Sequence, residues 1–211
     1  MSGTLVGHAH ITSNPFFPLT AVWLAMMALM MAPAAWPWVR AFDRFAGEGS
    51  WLRRRWATAS FSGGYIAAWG LFAIAAARLQ LATAGIAWLD EQQRVPPVAG
   101  AAIFIVAGLY QFSSLKSACL THCRSPFSYL LARWSNGPAN GFRLGFGHGV
   151  FCVGCCWALM LTVFAVGVMN LWWMAALTVV VFLEQVVPEG DRLRTPLGVA
   201  LIAAGLQVMR G

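Results

Sequence analysis

Long apolar runs, broken by short arginine-bearing stretches, are the feature that most limits how these 211 residues fold. A hydrocarbon core about 30 Å thick is crossed by roughly 20 helical residues. Six stretches qualify as candidate spans: residues 19–39, 60–89, 96–115, 146–168, 171–187 and 196–208. The last is short and reads as a tilted or partly buried helix. Only 10% of the residues are charged and 59% are hydrophobic. A water-soluble domain carries about 25% charged residues, so this chain lacks the polar surface to cover a core. In lipid every backbone polar group must be satisfied internally, and runs of this length do so as helices. The expectation is an all-α, polytopic transmembrane helical bundle. A short exposed tail, residues 1–18, precedes a single membrane domain, residues 19–209.

The connections support this division. Pro96, Pro97 and Pro196 stand at helix starts, where a missing N–H costs little. Pro188-Glu189-Gly190-Asp191 reads as a turn, and Asn136-Gly137-Pro138 breaks the stretch between the third and fourth spans. Pro33 lies inside the first span and is expected to kink it. No Lys or Arg precedes that span, and positive charge follows it. This is the polarity of an N-out anchor rather than of a cleaved signal. With the N-terminus outside and six crossings, eleven basic residues from Arg40 to Arg194, Lys116 among them, fall on inner loops. Arg78, Arg94 and Arg210 fall outside. The positive-inside rule then favours N-out and C-out termini in an inner (plasma) membrane. The net charge of +7 is a topology signal; the arginines lack the motifs and aromatic interleaving of nucleic-acid binding.

The chemistry is concentrated in one place. All five cysteines, Cys119, Cys123, Cys152, Cys155 and Cys156, lie within one stretch that also holds His122 and His148. At about 100° per helical residue, Cys119, His122 and Cys123 form one stripe. His148, Cys152, Cys155 and Cys156 form a second. The two stripes are expected to converge at the cytoplasmic ends of spans three and four. Thiolates and imidazoles suit a soft or borderline metal: copper(I) first, zinc second, since zinc needs four donors in a tetrahedron. Cys152-x-x-Cys155 is also the spacing of thiol–disulfide exchangers, so a membrane thiol oxidoreductase is the first rival. A structural subunit with small buried thiols is the second.

Weaker candidates surround this core. Met27, Met30 and Met31, with Met26, give thioether pairs four residues apart, suited to a copper(I) relay; packing is the plainer reading. His8 and His10 form a His-x-His in the tail. Glu184, late in the fifth span, is a functional candidate by its place in an apolar run, or a partner for Arg192 or Arg194. Gly63, Gly64, Gly145, Gly147 and Gly149 suggest close helix approach. No nucleophile triad, phosphate loop or carboxylate pair is present, so a non-enzymatic role is expected.

Four stretches carry a resemblance. They are the run from Ala25 to Pro33 with its methionines, Tyr110 to Lys116, Cys119-Leu-Thr-His122-Cys123-Arg-Ser-Pro126, and His148-Gly-Val-Phe-Cys152-Val-Gly-Cys155-Cys156 through Met160. The similarity continues through Gly167–Met174 to Glu184. The chain resembles a bacterial family of predicted metal-binding integral membrane proteins, classed as a domain of unknown function. The resemblance implies metal binding and points to copper handling or the maturation of copper enzymes. The expected partners are membrane lipid and a metal-receiving protein.

Overall fold

A computed structural model of the chain describes residues 15–46, 50–85, 89–91, 93–134, 138–168 and 170–210. His8, His10 and Met169 lie outside them. The elements in chain order are α1 (Phe16–Phe45), α2 (Trp51–Gly85), α3 (Pro97–Gln111), α4 (Ser114–Cys123) and α5 (Pro126–Arg133). They continue with α6 (Pro138–Leu161), the single turn α7 (Val163–Val166), α8 (Leu171–Val186), a 3-10 turn (Gly190–Leu193) and α9 (Arg194–Arg210). The described residues contain no strand, and the chain is all-α.

Three helical segments are long and apolar enough to cross a membrane: Phe16–Phe45, Trp51–Ala84 and Ala139–Val166. The expected third span, residues 96–115, divides instead. Helices α3 and α4 meet at a 66° bend and make a fourth crossing only if taken together. Ser113 caps α4 by accepting the Lys116 amide at 3.1 Å. The Arg194 guanidinium donates to the Gln111 carbonyl at 2.7 Å and to the Ser113 carbonyl at 3.1 Å. These bonds satisfy carbonyls that the bend frees, which makes a broken helix tolerable in an apolar setting. Helix α8 has 16 residues and α9 has 17, roughly 24–26 Å of helix, so both fall short of a full untilted crossing.

Helix α1 buries Trp23, Met26, Met27, Met30, Met31, Ala34, Trp38, Ala41 and Phe42. That rhythm of three and four residues is one helical face. The helix runs on through Pro33 and Pro37. Helices α2 and α6 form the most extensive pair and α3 and α9 the next. Glycines set both seams. A Cβ on Gly145 would stand 1.9 Å from the Phe61 carbonyl oxygen, and one on Gly64 2.1 Å from that of Phe142. On the other seam, a Cβ on Gly108 would meet Ile202 and the Gly198 carbonyl. Gly63 differs from its neighbour and faces open space.

One charge reading is corrected. Glu184 pairs with neither Arg192 nor Arg194. Its partner is Lys116 of α4, at 2.7 Å, with both side chains fully or almost fully buried. Arg192 pairs with Glu189 instead. Lys116, counted as a loop charge by sequence, therefore lies inside the protein. A buried ammonium needs a carboxylate partner, and the bend after α3 turns α4 toward α8, which supplies Glu184.

Candidate metal centre

Each cysteine owes its place to a helix packed on both sides. Helix α6 begins at Pro138, so Cys152 sits fourteen residues along it, roughly 21 Å from its start. The second stripe therefore lies in the middle of α6, because the helix starts before the expected span does. Helix α4 lays the first stripe against α6, with the Cys119 sulfur directly over Gly154, where a Cβ would come within 3.0 Å of it. Tyr110 donates its hydroxyl to the Gly154 carbonyl beside it. All five cysteines are free and buried. They share one core with Met26, Met27, Met30, Met31 and Met160.

The two stripes meet. The Cys123 and Cys155 sulfurs stand 3.9 Å apart across α4 and α6. On α6, the Cys155 and Cys156 thiols both point to the Cys152 carbonyl, at 3.2 and 3.0 Å. Two residues from other helices complete the shell. Gln185 of α8 donates its amide to the Cys155 sulfur at 3.0 Å and accepts from Cys152 at 3.6 Å. The Tyr65 hydroxyl of α2 lies 3.2 Å from the Cys152 sulfur. The thiols thus turn to carbonyls, an amide and a phenol. Among the described residues no three His, Cys, Asp or Glu side chains are grouped to hold a metal ion in this arrangement. Side chains must rotate before three of them reach one ion.

The histidines lie beside the sulfurs in an aromatic stack. His148 stacks on Trp38 with ring centroids 3.7 Å apart, and His122 stacks on Phe151 at the same separation. The two imidazoles are 6.5 Å apart. His122 Nε2 and His148 Nδ1 are buried without a hydrogen-bond partner. A buried imidazole nitrogen left unpaired costs free energy, and a nitrogen lone pair in that state is a donor in waiting. Trp38 ties this stack to the thiols by donating its indole N–H to the Cys123 carbonyl at 2.7 Å.

The cysteines singled out by sequence gather here, with His122 and His148 beside them and Met27, Met30 and Met31 in the same core. The sequence reading missed Gln185, Tyr65 and Trp38. Gln185 carried a signal, a second polar residue beside Glu184 in an apolar helix. Tyr65 and Trp38 carried none, since a lone aromatic in an apolar run is ordinary.

No curated protein and no solved structure matches the chain. A family described as copper chaperones, PpoB2, matches residues 20–208. That match takes in every described helix apart from the first turn of α1 and the last residues of α9. It also fits donors that are sulfur and imidazole, with the nearest buried carboxylate already paired to Lys116. On that match the chain belongs to the PpoB2 copper-chaperone family.

Proposed function

We propose that this protein is a multi-pass inner-membrane copper(I) carrier that holds the ion among Cys123, Cys152, Cys155 and Cys156 and passes it to a recipient protein. It binds and delivers, and catalyses no reaction. Cys119, His122 and His148 tune or complete the site, and Met27, Met30 and Met31 form a thioether path beside it. One observation carries the reading: two thiols from separate helices face each other at 3.9 Å within a buried, sulfur-rich core. Metal–sulfur bonds of about 2.3 Å allow two sulfurs on one ion to stand up to about 4.6 Å apart. Copper(I) accepts two or three soft ligands, whereas zinc needs four fixed in a tetrahedron. A site that must rotate its thiols inward suits the less demanding ion.

The supporting physics is burial. A thiolate in apolar surroundings is poorly solvated, so the pair becomes stable only with a cation between them. That makes the site empty and neutral or loaded and compact. Six crossings, with α8 and α9 tilted or partly buried, keep the basic loops on the inner side.

The test loads detergent-purified protein with copper(I) under reducing conditions. Bound metal is measured by elemental analysis and by thiolate-to-copper charge-transfer absorption. Wild type is expected to hold stoichiometric copper. Cys152→Ser and Cys155→Ser should lose most of it, and the Met27, Met30 and Met31 to Leu triple variant should retain it with slower transfer. Equal copper on wild type and on a variant lacking all five cysteines overturns the proposal. A redox-active disulfide with no bound metal would favour the oxidoreductase reading instead.

A further inference from the structure

Where α5 meets the start of α6, Tyr129, Arg133, Asn140, Arg143 and Leu144 line an open pocket of about 350 Å³. Among the described residues its charge is unbalanced. The ion pairs formed among the described residues leave Arg133 and Arg143 without a carboxylate. The Arg133 guanidinium carbon lies 5.0 Å from the Tyr129 ring centre. Tyr129 is the back wall. On its inner side the ring stands edge-on to His122 at 4.4 Å and 5.7 Å from Trp38. Its hydroxyl fills the space left by the missing side chain of Gly147, where a Cβ would lie 2.5 Å from it. One aromatic ring therefore separates the two arginines from His122, whose buried Nε2 has no partner. His122 adjoins Cys123, the sulfur that faces α6.

We propose that this pocket is the docking vestibule for the copper donor, an anionic copper(I) bis-thiolate whose small thiol ligands carry carboxylates. The proposal rests on the copper-carrier reading above and names the form in which the ion arrives. In a reducing compartment copper(I) travels on thiolates. Two thiolates on a singly charged ion are already anionic, and carboxylates add to that. Guanidinium forks match carboxylates in two-point geometry. The pocket is at the lower end of the range for small-molecule sites, about 300–1,000 Å³. Transfer is then a ligand exchange with no change of oxidation state. One donor Cu–S bond breaks, a Cys123–copper bond forms, and the Cys123 proton leaves on the departing thiol. Tyr129 must swing aside for the ion to pass His122.

The anion could equally be a phospholipid phosphate, so the test separates the two. Full-length wild type and the Arg133→Gln/Arg143→Gln double variant are compared in lipid-free detergent, in zwitterionic nanodiscs and in anionic-lipid nanodiscs. Copper is offered as its glutathione complex or as its complex with 2-mercaptoethanol, which has no carboxylate. The double variant is expected to take copper from glutathione about tenfold more slowly, since removing steering charges acts on association. It should also lose the ionic-strength dependence of that rate. Its rate from 2-mercaptoethanol, whose complex carries only the single negative charge of the bis-thiolate, should fall by much less, and its final copper content should match wild type. Equal slowing with both donors, or none with glutathione, overturns the vestibule. So does a contrast that appears only in anionic-lipid nanodiscs with loss of co-purified lipid, which would assign the pocket to a headgroup. Wild type taking copper from neither donor would overturn the carrier reading and the vestibule together. Wild-type uptake from both donors, with no effect of the double variant on the glutathione rate, removes the vestibule alone.

Discussion

Taking an ammonium and a carboxylate out of water costs several kcal/mol per ion before their attraction offsets it. Lys116 and Glu184 bear that cost at 2.7 Å, one turn of α4 from Cys119 and one residue from Gln185. They therefore fix α4 to α8 at the point where both contact the thiols. Breaking such a pair from one side leaves a buried charge alone. Lys116→Met is expected to cost about 3–5 kcal/mol, while Lys116→Met with Glu184→Leu should recover most of the loss. A double-mutant cycle on thermal unfolding in detergent measures this; additive losses would show that the pair carries no coupling. The same two residues show what sequence reveals and what it hides. The cysteine stripes are legible because helical period is local, and Cys119 with Cys123, or Cys152 with Cys156, needs only one turn of chain. Glu184 was visible as an anomaly, but its partner lies 68 positions away. Nothing local says that α3 and α4 bend by 66° and bring Lys116 to it.

Among elements, the α2–α6 seam decides where the sulfurs sit, because α6 carries three of them and closes on α2 only through missing side chains. Gly145→Ala would drive a methyl group against the Phe61 backbone, 1.9 Å away, and backbone moves only with the whole helix. A loss of at least about 1–3 kcal/mol is expected, the cost of overpacking, together with a weakened copper signal as α6 lifts. Gly63→Ala meets nothing within 4 Å and should be neutral or stabilise by up to about 1 kcal/mol through helix propensity. Thermal unfolding of the two variants side by side tests the seam, and equal effects would refute it. The spacing of glycines in the sequence suggested close packing, yet it could not say which ones face a helix. Gly63 and Gly64 are neighbours about 100° apart, and one faces a carbonyl while the other faces open space. Gly147 is different again, since it makes room for Tyr129 rather than for α2.

For the whole molecule, the proposed arrangement of crossings sets the side from which the proposed copper site would be reached. With Lys116 buried in its ion pair, ten basic residues remain for the inner side against three for the outer, which leaves the charge bias of the N-out arrangement intact. In the proposed topology both pocket arginines lie on the inner side, where a thiol-bound copper(I) donor is expected. The buried cysteines permit a direct check. In a cysteine-free background, single cysteines are introduced at Arg53, Arg192, Glu91 and Arg210, all of them exposed positions. A membrane-impermeant maleimide added to intact cells should label Glu91→Cys and Arg210→Cys. Arg53→Cys and Arg192→Cys should react only after the membrane is opened. Six crossings require that pattern. Labelling Arg210→Cys from the same side as Arg192→Cys would mean that α9 packs against α3 without crossing. The pocket would keep its place, but the chain would leave the bilayer on the side it last entered. Inner-side labelling of Glu91→Cys would be more damaging, since with α2 fixed on α6 it would turn the whole bundle over and set the vestibule on the face where no reduced copper donor is expected.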